Sequence, residues 1–175
     1  HMLRLELERS HRNIYGNTGD SNQLWERKVF MSAKLDRFKN IKGFLHPDEG
    51  KFLYELSSRE CRERFAVEIG SYCGKSACYI GLACKENDTK LFSIDHHRGS
   101  EEQQFGEEYF DEEIYDYEKK RVDTYPLFIS NLKKFSLIDT VIPVIDNSVE
   151  ASKRIKDDLD PVSYTHLTLP TKSRG

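Results

Sequence analysis

The sequence predicts an α/β fold: a parallel, doubly wound sheet flanked by helices. Three observations carry this. There are three short apolar runs of strand length, the stretches between them have helical periodicity, and each run closes on a glycine or an aspartate, Gly70, Asp95 and Asp146. Strands and helices alternating with connections of this length imply parallel strands. A chain of 175 residues fits one domain, with core enough for three layers.

Residues 3 to 22 are polar and patternless, with NTGDSN as a breaker cluster. From Gln23 to Lys39, Leu24, Phe30, Leu35 and Phe38 recur loosely at helical spacing, a charged surface helix stopped by Gly43. Pro47 opens a second helix, with Asp48 and Glu49 favouring its positive end and Phe52, Leu53 and Leu56 as its apolar stripe. Phe65–Ile69 is the first strand, buried although it contains Glu68. Ser76 to Cys84, rich in Ala, Ile and Leu, is the following helix. Asn87-Asp88 turn the chain into the second strand, Lys90 to Ile94. Asp123-Thr124 can cap a helix with Leu127, Phe128, Leu132 and Phe135 on its apolar face. Thr140 to Ile145 is the third strand, and Pro143 places it at a sheet edge. A polar helix start, Ala151 to Asp160, follows.

Twenty-seven basic against thirty acidic residues leave a net charge of −3, so no global field draws the chain to nucleic acid or membrane. Nine acids and no Lys or Arg lie between Gly99 and Glu118, a solvated face or mobile loop, or else a lid facing a cation or substrate. No apolar segment approaches the ~20 residues needed to cross a bilayer. HMLRLELERS lacks the apolar core of a secretory signal, and its His1-Met2 looks like a cloning remnant. Cys61, Cys73, Cys78 and Cys84 form no CxxC pair and have no histidine at finger spacing. Reduced, mostly buried thiols in a cytoplasmic protein follow.

The chemistry concentrates in AVEIGSYCGKSACYIG, Ala66 to Gly81. Its GKS suggests a phosphate loop, but G-x-x-x-x-G-K-[ST] would need glycine at Ile69, and Gly70 makes the loop one residue short. The spacing instead reads E-x-G-x-x-x-G-x-S at a strand-to-helix turn: Glu68, Gly70, Gly74 and Ser76. Gly70 permits a sharp turn and close ligand approach, and Gly74 brings the helix start near the strand. The helix N-terminus and the Ser76 hydroxyl offer donors to a carboxylate. Asp95 ends the second strand 21 residues beyond Gly74, where such folds place an acid for ribose hydroxyls. Asp146-Asn147-Ser148 end the third strand on the same edge.

EIGSYCGKSA resembles motif I of class I S-adenosylmethionine-dependent methyltransferases and is close to the form in catechol O-methyltransferase-like enzymes. The span from GFLHPDEGKFLYEL through VEIGSYCGKS, FSIDHHRGSEEQQ and VDTYPLFISNL to VIPVIDNS is similar to small-molecule methyltransferases related to macrocin O-methyltransferase. It runs from about Gly43 to Ile155. The resemblance implies a Rossmann-like parallel sheet flanked by helices, present only as its first half (three strands) plus N-terminal helices. It implies S-adenosyl-L-methionine as cofactor and in-line methyl transfer to a hydroxyl of a small-molecule acceptor. The cofactor-contacting positions it implies are Glu68, Gly70, Ser71, Tyr72, Gly74, Ser76, Asp95, His96, Asn147 and Ser148. Gly70 and Tyr72 would meet the methionine part through backbone, and Ser76 its carboxylate. Glu68 would order the loop beside the amino group. Asp95 would hold the ribose, His96 would pack on the adenine, and Asn147 and Ser148 would edge it. The plainer alternatives make Glu68 and Asp95 solvated strand-end acids, Ser76 a helix-start hydroxyl and Lys75 a solvated side chain.

His96 and His97 leave a strand end pointing apart and suit a single metal poorly, so no metal is expected there. His97 is the candidate general base, with an ordinary pKa near ~6.5. The full-length family can hold a divalent metal through acids on the fourth strand and beyond, and the chain offers no candidates for them.

Val162 to Thr171, VSYTHLTLPT, resembles the translation of a transposon-end adapter used in sequencing libraries. The expected organisation is therefore a polar segment and helix (1–45), a partial cofactor-binding domain (46–161) and a non-native tail (162–175). Without a fourth strand, Phe65–Ile69 would be a bare sheet edge, and the chain would bind cofactor weakly or not at all and would not turn over. Two other readings stand beside this one: an interaction module using the acidic segment, and a P-loop-like NTPase.

Overall fold

The computed structural model describes residues 19–146 and 164–167. The chain divides into two compact units, His1–Arg37 and Phe38–Gly175. The first contributes helix α1, Gly19–Asp36, which starts and ends earlier than its periodicity suggests.

In the second unit, α2 is Pro47–Glu60. The His46 ring accepts the Asp48 N–H and the Glu49 carboxylate accepts the His46 N–H, a capping box that starts the helix at the proline. Strand β1, Phe65–Ile69, leads into α3, Lys75–Glu86. Strand β2 is Leu91–Ile94. The acidic stretch then folds as two single turns, Glu101–Gln103 and Glu112–Ile114, and a short antiparallel pair, β3 (Tyr115–Asp116) with β4 (Arg121–Val122). Helix α4, Tyr125–Lys134, begins after Thr124, and β5 is Val141–Val144.

The sheet is parallel in the order β5-β2-β1-β6, where β6 is Tyr164–Leu167. β5 is an edge strand, which accommodates Pro143. The three expected strands are present, and the sheet has a fourth. The expectation of a bare β1 edge is corrected: β6 pairs along β1 from Phe65↔Tyr164 to Glu68↔Leu167. An open parallel edge presents a row of unpaired N–H and C=O groups, and backbone alone can complete it. The polar helix expected at Ala151–Asp160 lies outside the described residues, as does the rest of the 162–175 tail.

Strand register sorts the side chains. One face carries Val67 and Ile94, buried, with Phe65, Phe92 and Val144 packed on them. The other carries Ala66, Glu68, Leu91, Ser93 and Val141, and α3 lies against it. Gly81 of α3 permits the approach, since a Cβ there would lie 2.6 Å from the Val141 side chain. Helix α2 packs outside α3. All four cysteines are buried free thiols, as expected.

Candidate functional site

The turn from β1 into α3 stands at the carboxyl edge of the sheet, where an open α/β sheet forms its ligand crevice. Gly70 (φ +84°) donates its N–H to the Ile94 carbonyl at 2.9 Å, tying the turn to the end of β2. A Cβ on Gly70 would meet nothing within 4 Å, so the turn faces open space there. Gly74 (φ +88°) is the N-cap of α3, and its N–H closes the turn onto the Ser71 carbonyl at 2.7 Å. A Cβ on Gly74 would lie 2.9 Å from the Phe128 ring, so Gly74 brings α4 close to the loop. Asn131 of α4 completes that junction by donating its side-chain amide to the Cys73 carbonyl at 2.9 Å. Phe128 and Asn131, three apart on α4, buttress the loop; the periodicity of α4 marks Phe128 as apolar but gives no sign of what it touches.

Asp95 accepts the Tyr72 N–H at 2.8 Å on one carboxylate oxygen and the His97 N–H at 2.7 Å on the other. It thus fastens the loop to the exit of β2, and each oxygen retains a further lone pair. Tyr72 itself has φ +49°, held by this bond, and its ring lies 5.7 Å from that of Phe44.

Glu68 is not a solvated strand-end acid: it is 1% exposed. One oxygen accepts from the Ser93 hydroxyl at 2.9 Å, and the other is buried without a hydrogen-bond partner. Burial pushes its carboxyl up to about 7, with the Ser76 and Ser93 hydroxyls opposing and Asp95 adding to the rise. Ser71, also buried, has an unpartnered hydroxyl at the same turn. Ser76 is buried in the first turn of α3. Lys75 is not the solvated side chain expected of it, since only 8% of it is exposed.

The two histidines do diverge. His96 is exposed, and its Nδ1 accepts the Arg98 N–H at 3.0 Å. His97 is 3% exposed, with its Nδ1 2.8 Å from the Thr124 hydroxyl and its ring packed on Tyr125 and Phe128. Desolvation lowers its pKa against the pull of Asp95 and Asp123. This enclosed imidazole joins the end of β2 to the start of α4. Cys73, in the loop, is enclosed with Ile114 and Val122, and burial pushes its thiol up to about 12, outside nucleophilic range. Asn147 and Ser148 lie outside the described residues. Among the described residues no group of three or more His, Cys, Asp or Glu side chains is placed to hold a metal ion. No helix among them is long and apolar enough to cross a membrane.

A parallel sheet with a glycine-bearing strand-to-helix turn and an acid at the next strand end defines an α/β protein of the class whose ligands bind at the carboxyl ends of the strands. A family model described as a methyltransferase domain matches residues 67–157, just over half of the chain, and the chain belongs to that family. Among solved structures, it is similar to the O-methyltransferase from Bacillus cereus in complex with SAH: 14% identity over 89% of this chain and 56% of that one, TM-score 0.47. It is also similar to the O-methyltransferase TomG from Streptomyces achromogenes, involved in tomaymycin synthesis and in complex with SAM: 14% identity over 75% of this chain and 48% of that one, TM-score 0.44. The chain spans about half the length of the solved structures it matches.

Proposed function

We propose that the chain carries the S-adenosylmethionine-binding half of a cytoplasmic O-methyltransferase acting on a small-molecule hydroxyl. The observation that carries this reading is the β1–α3 turn. It combines open space at Gly70 with buried, unpartnered oxygens on Glu68 and Ser71 and a backbone fastened to Asp95. Those orphaned polar atoms fit a ligand with an ammonium and a carboxylate, since the unpartnered Glu68 oxygen can accept from an ammonium and the Ser71 hydroxyl can donate to a carboxylate.

In this reading Gly70 and Tyr72 meet the methionine part, and Ser71, Ser76 and the α3 N-terminus take its carboxylate. Glu68 faces the amino group. The free lone pairs of Asp95 accept the ribose hydroxyls, and His96, exposed beside it, covers the adenine with Asn147 and Ser148 beyond β5. Bound there, the cofactor supplies an electrophilic methyl group. The protein's part is to align it and exclude water. His97 stays the candidate general base: Thr124 engages its Nδ1, while its buried Nε2 has no hydrogen-bond partner. Weak binding is the expectation for a bare β1 edge; with β6 paired there, we propose that the chain binds cofactor and does not turn over. The buried thiols fit a reducing compartment.

A thermal-shift comparison tests the reading. S-adenosylhomocysteine should stabilise the chain and ATP should not. Stabilisation by ATP alone would favour an NTPase. Salt-sensitive binding to a basic partner with no nucleoside effect would favour an interaction module on the acidic segment.

A further inference from the structure

The acidic segment carries a group of exposed rings as well as charge. Phe105 is 66% exposed and Tyr117 57%. Phe105 meets Phe110 at 5.2 Å between centroids and Tyr115 at 5.7 Å. Phe110 meets Tyr115 at 5.3 Å, and Tyr115 meets Tyr117 at 5.0 Å. The four rings are therefore contiguous. Their inner side is anchored, because Tyr115 packs on the buried cluster of Cys73, Ile114 and Val122.

Hydrogen bonds hold this arrangement in place. The Tyr109 N–H donates to the Glu102 carbonyl at 3.0 Å, the Gln104 side-chain amide donates to the Ser100 carbonyl at 2.8 Å, and β3 pairs with β4. Rings fixed in this way lose little freedom when something covers them. A contiguous exposed apolar patch with a polar rim is the mark of an interaction surface.

The rim selects the partner by charge. Glu101, Glu102, Glu107 and Glu108 flank Phe105 in the chain; they are exposed and, among the described residues, form no ion pair. Carboxylates repel an anion, and the ring faces attract a cation. The same segment already takes ammonium groups from this chain: Asp111 and Glu113 pair with Lys42, and Asp116 pairs with Lys119. Rings and acids interleaved from Glu101 to Tyr117 suit an extended chain, which meets several of each at once. A single small amine would meet only one or two.

We propose that this surface docks a basic segment of another protein, one in which arginine or lysine alternates with apolar side chains. The apolar side chains cover the rings, while the cations stack on ring faces or pair with the glutamates. This goes beyond the cofactor reading and does not depend on it.

Calorimetric titration of the full chain tests it with two octapeptides, one alternating Arg and Leu, the other alternating Arg and Ser at the same charge. The Arg-Leu peptide should bind saturably, about tenfold more tightly than the Arg-Ser peptide, and more weakly as salt is raised. Phe105→Ser and Tyr117→Ser should each weaken it by about threefold to tenfold, and the double change Glu107→Gln, Glu108→Gln by about as much. Phe52→Ser removes a ring of α2 that is 64% exposed and should leave the affinity unchanged. Thermal unfolding reports that each variant is folded. Equal affinity for the two peptides would mean that charge alone attracts them, and would overturn the proposal. So would unchanged affinity in both ring variants, or no binding of either peptide. Phenethylamine binding as tightly as the Arg-Leu peptide would assign the surface to a small amine and overturn it as well.

Discussion

At the residue scale, Glu68 ties the site to stability. Folded, it keeps its proton to about pH 7, whereas its ordinary value is 4.5. The native state therefore binds more protons across that interval, and stability falls as pH rises through it. Glu68→Gln should flatten the slope, exceeding the unaltered protein by up to about 3 kcal/mol near about pH 8, with the gap closing below about pH 5. Urea denaturation across that range reads it, and an unchanged slope would show that another group titrates. The two loop glycines should separate fold from ligand. Gly74→Ala combines φ +88° with a clash against Phe128 and should cost about 1–3 kcal/mol. Gly70→Ala meets no neighbour, so only backbone strain of about 1 kcal/mol opposes it, yet it fills the space where ligand would approach. It should fold and lose S-adenosylhomocysteine binding, as calorimetry would show; full retention would place the ligand elsewhere.

At the scale of elements, α2 and α3 meet through a glycine. A Cβ on Gly50 would lie 2.3 Å from the ring of Tyr79, so Gly50→Ala should destabilise by about 2–3 kcal/mol, measured by thermal unfolding. A smaller loss would mean that the ring can move. Nothing local in the sequence marks this contact. What was legible followed strong local signals. Pro47 with its acids marks the start of α2, the Phe65–Ile69 run marks β1 to the residue, and Pro143 places β5 at an edge. The β3–β4 pair escaped, because strands of two residues have no periodicity and their acids suggest solvent. At the site, the glycine spacing and Asp95 were readable because backbone geometry demands them. The burial of Glu68, Lys75 and His97 was not, since charge argues for exposure and only neighbours distant in sequence enclose them.

At the scale of the whole molecule, β6 places β1 in the interior of the sheet. A chain ending at Pro161 would leave the outer side of β1 unpaired and should self-associate, seen as a rise in scattering mass at equal concentration. A monodisperse product would show that β6 is dispensable. The central proposal for the whole molecule is that its cofactor is held at the β1–α3 turn. Calorimetric titration of the full chain with S-adenosylhomocysteine tests it most directly. The account predicts saturable one-to-one binding that Gly70→Ala abolishes. No binding, or binding that Gly70→Ala leaves intact, would contradict it.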